Sequence, residues 1–148
     1  ARTTLVPVRP GLVLVNPQRP CADDALDVFA ANGWRIVNAP PSARTGSSAR
    51  TVSSWISMNI LMLDEHTAVV ERAEKPMIEL LESLGCTVIP CAFDRVYAFG
   101  GSFHCCTADI RREGTLQSYF PSLDGSSGTG NQPSLAKGAS DLLFRERL

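Results

Sequence analysis

The succession strand, helix, glycine, strand is written twice along this chain, and that repetition constrains the fold more than any other feature. Leu12-Val13-Leu14-Val15 is a continuous apolar run of the kind a strand buried on both faces requires. A helix is predicted over residues 22–32, with Leu26, Phe29 and Ala30 on one face, Asp23 and Asp24 in its first turn, and Gly33 as its stop. Trp34-Arg35-Ile36-Val37 then reads as a second strand. The unit recurs with Thr67-Ala68-Val69-Val70 as strand and a helix over residues 76–84, whose inner stripe is Met77, Leu80, Leu81 and Leu84. Gly85 is the stop, and Thr87-Val88-Ile89 the closing strand. Two copies predict a modular α/β fold. Periodicity alone does not choose between an ordinary open α/β sandwich and other arrangements of such modules.

Two stretches read as connections. Residues 39–54 are rich in Pro, Ser, Arg, Thr and Gly and predict a surface loop between the modules. Residues 125–148 open Gly125-Ser126-Ser127-Gly128-Thr129-Gly130 and predict a flexible or appended tail, in which Asp141-Leu142-Leu143-Phe144-Arg145 is the one piece with helical character. The composition is that of a globular protein, 44% hydrophobic and 20% charged. With 14 Lys+Arg against 15 Asp+Glu it carries no strong field for nucleic acid. No apolar run approaches the ~20 residues of a membrane span. The five cysteines, an odd number without regular spacing, suit a reducing compartment, and the expectation is cytoplasmic.

Chemistry concentrates in Gly100-Gly101-Ser102-Phe103-His104-Cys105-Cys106, followed by Thr107-Ala108-Asp109-Ile110-Arg111-Arg112. A glycine-preceded cysteine in a strand-like run, closed by a paired-arginine turn, reads as a nucleophile site. On residue type alone a cysteine is most often a small buried hydrophobe, so the surrounding words carry the reading. In a strand, His104 and Cys106 point to the face opposite Cys105, which leaves His104 a structural role. A metal centre built from His104, Cys106, Cys86 and Cys91 lacks the close Cys and His pairs that closed zinc sites favour. Arg111 and Arg112 are read as fixing a turn or pairing with carboxylates.

These words, together with Gly114-Thr115-Leu116-Gln117-Ser118-Tyr119, resemble the C-terminal signature of the amidinotransferases, the glycine and inosamine-phosphate amidinotransferase family. Two further motifs stand in family order. They are Pro10-Gly11-Leu12-Val13-Leu14-Val15-Asn16-Pro17-Gln18-Arg19-Pro20 and Ser53-Ser54-Trp55-Ile56-Ser57-Met58-Asn59-Ile60-Leu61-Met62-Leu63-Asp64. The resemblance covers residues 3–124, read as the C-terminal portion of a catalytic domain. It implies the pentein architecture, an α/β propeller of five ββαβ modules around a central channel, of which this chain supplies about the last two.

For the site, the resemblance implies Cys105 as the nucleophile, Arg19 as the contact to a substrate carboxylate and Ser53 as a second substrate contact. A guanidinium grips an amino-acid carboxylate with two charge-assisted hydrogen bonds, and a serine hydroxyl both donates and accepts. By residue type, Arg19 equally suits a Pro-flanked surface turn and Ser53 a loop or cap. The implied reaction transfers an amidino group from L-arginine to an acceptor amine, without cofactor or metal, because sulfur carries the group. A free thiol titrates near ~8.5, so the sulfur needs a positive or hydrogen-bonding neighbourhood to act as thiolate. Expected partners are L-arginine and the acceptor amine, with neither nucleic acid nor membrane, and the full-length enzyme can be a homodimer.

The family's acid/base histidine would fall immediately before Ala1, its neighbouring carboxylate on Arg2, and its orienting aspartate further upstream. Only His66 and His104 are present, and neither stands at the position of that histidine. The expectation is a nucleophile-bearing portion that does not turn over by itself. The alternatives are a pentein hydrolase, with water in place of the acceptor amine, and a non-catalytic fragment that binds a guanidino ligand or a partner chain.

Overall fold

The computed structural model describes residues 3–43, 53–111 and 118–124. In the first unit, β1 (Leu5–Arg9) runs antiparallel to β2 (Leu12–Val15), α1 (Asp23–Ala31) crosses over, and β3 (Arg35–Asn38) lies parallel to β2. The second unit repeats this with β4 (Leu61–Met62), β5 (Thr67–Glu71), α2 (Lys75–Ser83) and β6 (Thr87–Cys91). Each sheet has three strands with the middle strand second in sequence, so the predicted βαβ copies are in fact ββαβ units.

The added strands were not legible as strands. β4 has only two residues. β1 contains Pro7, which cannot donate to a ladder and is tolerated because β1 is an edge strand. Pro10 and Gly11 turn the chain from β1 into β2, with Gly11 at φ 80°, as a type II turn requires. The register slips at Val8, a bulge that re-aims β1 after Pro7.

β2 is buried along its whole length, as its apolar run predicts. The core joins Val8, Leu12 and Leu14 of the first unit to Ala68, Val70, Met77, Leu81 and Leu84 of the second, and takes in Trp55, Met58 and Ile60 from the connection. The stripe of α2 is therefore covered from both sides, with Leu80 only half-buried at its margin. α1 lacks such cover. Leu26 and Phe29 are half-buried, while Ala30, expected on the inner face, is exposed because the second unit packs elsewhere.

Two polar ties hold the units together. Arg9 donates from Nη2 to the Leu84 carbonyl at 2.7 Å and from Nη1 to Cys86 Sγ at 3.7 Å, placing a cation at the C-terminal end of α2. At the other end, Glu74 is wholly buried, and a buried carboxylate needs donors. It receives them from Ser42 Oγ at 2.5 Å, the Ala43 N–H at 2.8 Å and Tyr97 Oη at 3.4 Å. The loop expected over residues 39–54 thus starts with a buried, anchored end at Ala39 and Ser42. Its residues 44–52, the predicted tail 125–148, Arg2, Arg112 and Gly114 through Gln117 lie outside the described residues.

Candidate active site

After β6 a 3₁₀ helix, Asp94–Phe99, ends at Gly100, whose φ of 78° is the left-handed conformation that favours glycine. The chain then passes Gly101 and Ser102 and enters α3 (Phe103–Cys106), a single helical turn. Phe103 anchors it, buried and stacked on Phe93 with ring centroids 4.2 Å apart. The Cys106 N–H donates to the Ser102 carbonyl at 3.1 Å, and Thr107 Oγ1 donates to the Phe103 carbonyl at 2.8 Å.

The strand expected around Cys105 is therefore a helical turn. A short apolar run does not distinguish the two by periodicity, and the left-handed Gly100 with the Phe103 anchor winds the chain. Successive residues step by about 100° in a helix and do not alternate by 180°, so His104 is not turned away from Cys105. Both line one cavity of about 800 Å³, whereas Cys106 does not. Cys105 is exposed, as is Cys106, and none of the five cysteines forms a disulfide among the described residues.

The cavity is bounded by β1, by residues 58–62, by the α3 turn and by Trp34 and Tyr119. The 118–124 segment closes this last side. Phe120 stacks on Trp34 at 5.2 Å and meets Phe29 edge-on at 5.4 Å, while Trp34 Nε1 donates to the Tyr119 carbonyl at 3.1 Å. The polar lining includes Asn59, Glu65, His104, Thr107 and Asp109.

Asn59 makes the closest approach to the cysteine, and sequence reasoning gave it no role. Its Nδ2 donates to Cys105 Sγ at 2.7 Å, and its Oδ1 accepts from the Cys105 backbone N–H at 3.2 Å. The side chain is buried at the end of the 3₁₀ turn Ile56–Met58, where its own N–H donates to the Ile56 carbonyl at 2.9 Å. The signal was available, since Asn59 closes the Ser57-Met58-Asn59 words of the second motif.

Arg19 and Ser53 do not line this cavity. Arg19 is exposed on a turn organised by Asn16, whose carbonyl accepts from the Arg19 N–H at 3.1 Å. Ser53 is half-buried, and its Oγ accepts from the Trp55 N–H at 3.2 Å. The two motifs nonetheless meet, because Trp55 Nε1 donates to Gln18 Oε1 at 3.2 Å. The fold thus sets the Arg19 turn beside the Ser53 turn, and sets Cys105 beside Asn59, six residues past Ser53 in the second motif.

Among the described residues, Tyr97, Cys86 and Asp64 depart from their ordinary range. Burial pushes the Tyr97 phenol up, with the Glu74 and Glu71 carboxylates adding to the shift. Burial also raises the Cys86 thiol, opposed by Arg9. Hydrogen bonds from the His66 backbone N–H first, and from Thr67, hold exposed Asp64 low. Among the described residues no group of three or more His, Cys, Asp or Glu is placed to hold a metal ion, and no helix is long and apolar enough to cross a membrane.

No family model matches the chain. Individual relatives do. Over 118 residues it is 46% identical to the L-arginine:L-lysine amidinotransferase of Pseudomonas savastanoi pv. phaseolicola, covering 79% of this chain and 32% of that protein. Over 114 residues it is 42% identical to the mitochondrial glycine amidinotransferase of Danio rerio, covering 76% and 26%. Among solved structures, SxtG, an amidinotransferase from Microseira wollei in the saxitoxin biosynthetic pathway, matches with a TM-score of 0.70 at 44% identity, over 79% of this chain and 32% of that one. The inosamine-phosphate amidinotransferase StrB1 of Streptomyces griseus also gives 0.70, at 38% identity, over 79% and 34%.

An α/β chain that presents an exposed cysteine on a turn entered through two glycines is thus the class of protein at hand. The chain belongs to the amidinotransferase family. It spans a quarter to a third of the length of the relatives it matches.

Proposed function

We propose that this chain carries the nucleophile of an amidino transfer from L-arginine to an acceptor amine, and that the nucleophile is Cys105. The observation that supports this best is the exposed Cys105 thiol on the wall of a cavity of about 800 Å³, within the size range of small-molecule sites. The Cys105 thiolate attacks the guanidinium carbon of arginine, forming a C–S bond. The bond from that carbon to the side-chain nitrogen then breaks, and ornithine leaves as an amine after taking up a proton. In the second half the acceptor amine attacks the same carbon and loses a proton, and the C–S bond breaks to return the thiolate. Glu65 and Asp109 put carboxylates on the cavity wall, which also carries the Arg9 guanidinium. The matched relatives are named as transferases, which supports an amine acceptor over water.

The two ββαβ units support a further reading as two of the five modules of a pentein propeller. On that reading the acid/base histidine and its aspartate belong to modules outside this sequence, and the chain alone does not turn over. Arg19 and Ser53, held together through Gln18 and Trp55, are read as the substrate-carboxylate side of the site.

Covalent mapping tests the proposal. The chain is treated with an electrophilic guanidine analogue, digested and analysed by mass spectrometry, alone and joined to the upstream part of a relative. The adduct is expected on Cys105, with ornithine release from arginine appearing only in the joined protein. An adduct on Cys106, with Cys105→Ala fully active, would overturn it.

A further inference from the structure

We propose that Asn59 is a catalytic residue of this transfer, its side-chain amide aiming the Cys105 sulfur and donating a hydrogen bond to it. The proposal rests on the reading of Cys105 as the nucleophile and adds the group that prepares it.

The orientation of the amide is dictated by chemistry. The backbone N–H of Cys105 can only donate, so the end of Asn59 facing it at 3.2 Å must be the carbonyl Oδ1. The other end, facing Sγ at 2.7 Å, is then the NH₂ group, which can only donate. Flipping the amide would set donor against donor at the backbone, so the arrangement is locked. A neutral thiol is a weak acceptor, while a thiolate is a strong one, and hydrogen bonds to an ionised partner are the shorter and stronger kind. The donor is thus aimed at the atom on which negative charge sits whenever the sulfur attacks or leaves.

The amide is also held in place before any substrate arrives. Asn59 is buried between the fully buried Met58 and Ile60 at the end of a 3₁₀ turn, while Cys105 is exposed. A fixed donor aimed where negative charge resides needs no reorganisation during reaction. The same donor meets the sulfur twice. It faces the thiolate before attack, and again when the C–S bond breaks and sulfur regains its charge as leaving group.

The test needs no substrate. The chain, with Cys105 and Cys106 both intact, is alkylated by iodoacetamide at neutral pH, and the rate at each cysteine is read by mass spectrometry. Cys106 lies on the same turn but is not held by Asn59, so it reports the turn's integrity. Asn59→Asp keeps the shape and the acceptor for the Cys105 N–H, but replaces the donor facing sulfur with a carboxylate oxygen. The expected result is a fall in the Cys105 rate of roughly tenfold or more, the loss of one charge-assisted hydrogen bond, with the Cys106 rate unchanged. Asn59→Ala should give the same selective fall. A Cys105 rate in Asn59→Asp equal to that of the unaltered chain would overturn the proposal, as would parallel changes at both cysteines, which would make Asn59 a structural support of the turn. If Cys105 of the unaltered chain reacts no faster than Cys106, the nucleophile reading fails and takes this inference with it.

Discussion

A side chain on Gly101 would collide with Cys105. A Cβ built at Gly101 stands 2.8 Å from Cys105 Cβ and 3.3 Å from its Sγ, closer than side chains tolerate. The two glycines before the turn therefore serve different ends. Gly100 supplies a left-handed backbone, and Gly101 supplies room for the cysteine to fold back over its own entry. Gly101→Ala is expected to cost about 1–3 kcal/mol of stability through overpacking. It should also displace Cys105 from Asn59, and a misplacement of ~1 Å at a reacting group costs roughly 10²-fold in rate. Urea denaturation and Cys105 alkylation measure the two effects. An unchanged alkylation rate would show that the turn yields without moving the sulfur.

Glu74 is the polar pin between the units, and its removal should be felt globally. Glu74→Ala removes the acceptor shared by the Ser42 hydroxyl, the Ala43 N–H and the Tyr97 hydroxyl. With about 1–3 kcal/mol for a buried hydrogen-bonding group that loses its partner, the loss is expected to be about 1–3 kcal/mol. Glu74→Gln keeps the volume but points a donor at donors, and should fall between. Denaturant midpoints of the three proteins decide it, and a loss below about 1 kcal/mol for the alanine variant would mean that water replaces the carboxylate.

Tyr97 makes alkaline stability a local property. Burial, then the Glu74 and Glu71 carboxylates, hold its phenol above the ordinary range. An unfolded tyrosine loses its proton near ~10, while folded Tyr97 keeps its own. Above that pH the folded state binds more protons than the unfolded, so stability is intact below ~10 and falls as pH rises, by up to ~1.4 kcal/mol per unit. Tyr97→Phe should remove that part of the slope between roughly pH 9 and pH 11, seen in urea midpoints across that range. An identical slope in the variant would place the titrating group elsewhere.

The parts legible in the sequence are those where one local rule acts alone. β2 and α2 are buried on opposite sides by their own neighbours, so an unbroken apolar run and a four-residue stripe predict them within a residue or two. α1 was found, but its inner face was misjudged at Ala30, because nothing local reveals that the second unit packs elsewhere. β1 was hidden by Pro7, acceptable only on an edge, and edges are properties of the assembled sheet. At the site, the motif located Cys105, but its conformation depends on Phe103 finding Phe93. Asn59 meets Cys105 across 46 positions of chain, a contact that only the packing of the connection against the α3 turn creates.

Arg19 offers a test of the substrate side that separates a ligand contact from a structural arginine. Its turn is built by Asn16, with the Gln18 N–H donating to Asn16 Oδ1 at 2.9 Å and Asn16 Nδ2 donating to the Thr3 carbonyl at 3.0 Å. These bonds use the backbone and the asparagine, so Arg19→Ala removes none of them. If Arg19 binds the substrate carboxylate, the variant, within an enzyme containing this sequence, should bind arginine more weakly by ~1.5–3 kcal/mol, the range for a charged hydrogen bond. Agmatine has the same guanidinium but no carboxylate, so its affinity should change little. Calorimetric titration of both ligands into both proteins gives the comparison, and equal losses for the two would assign Arg19 to the scaffold and leave the carboxylate to another residue.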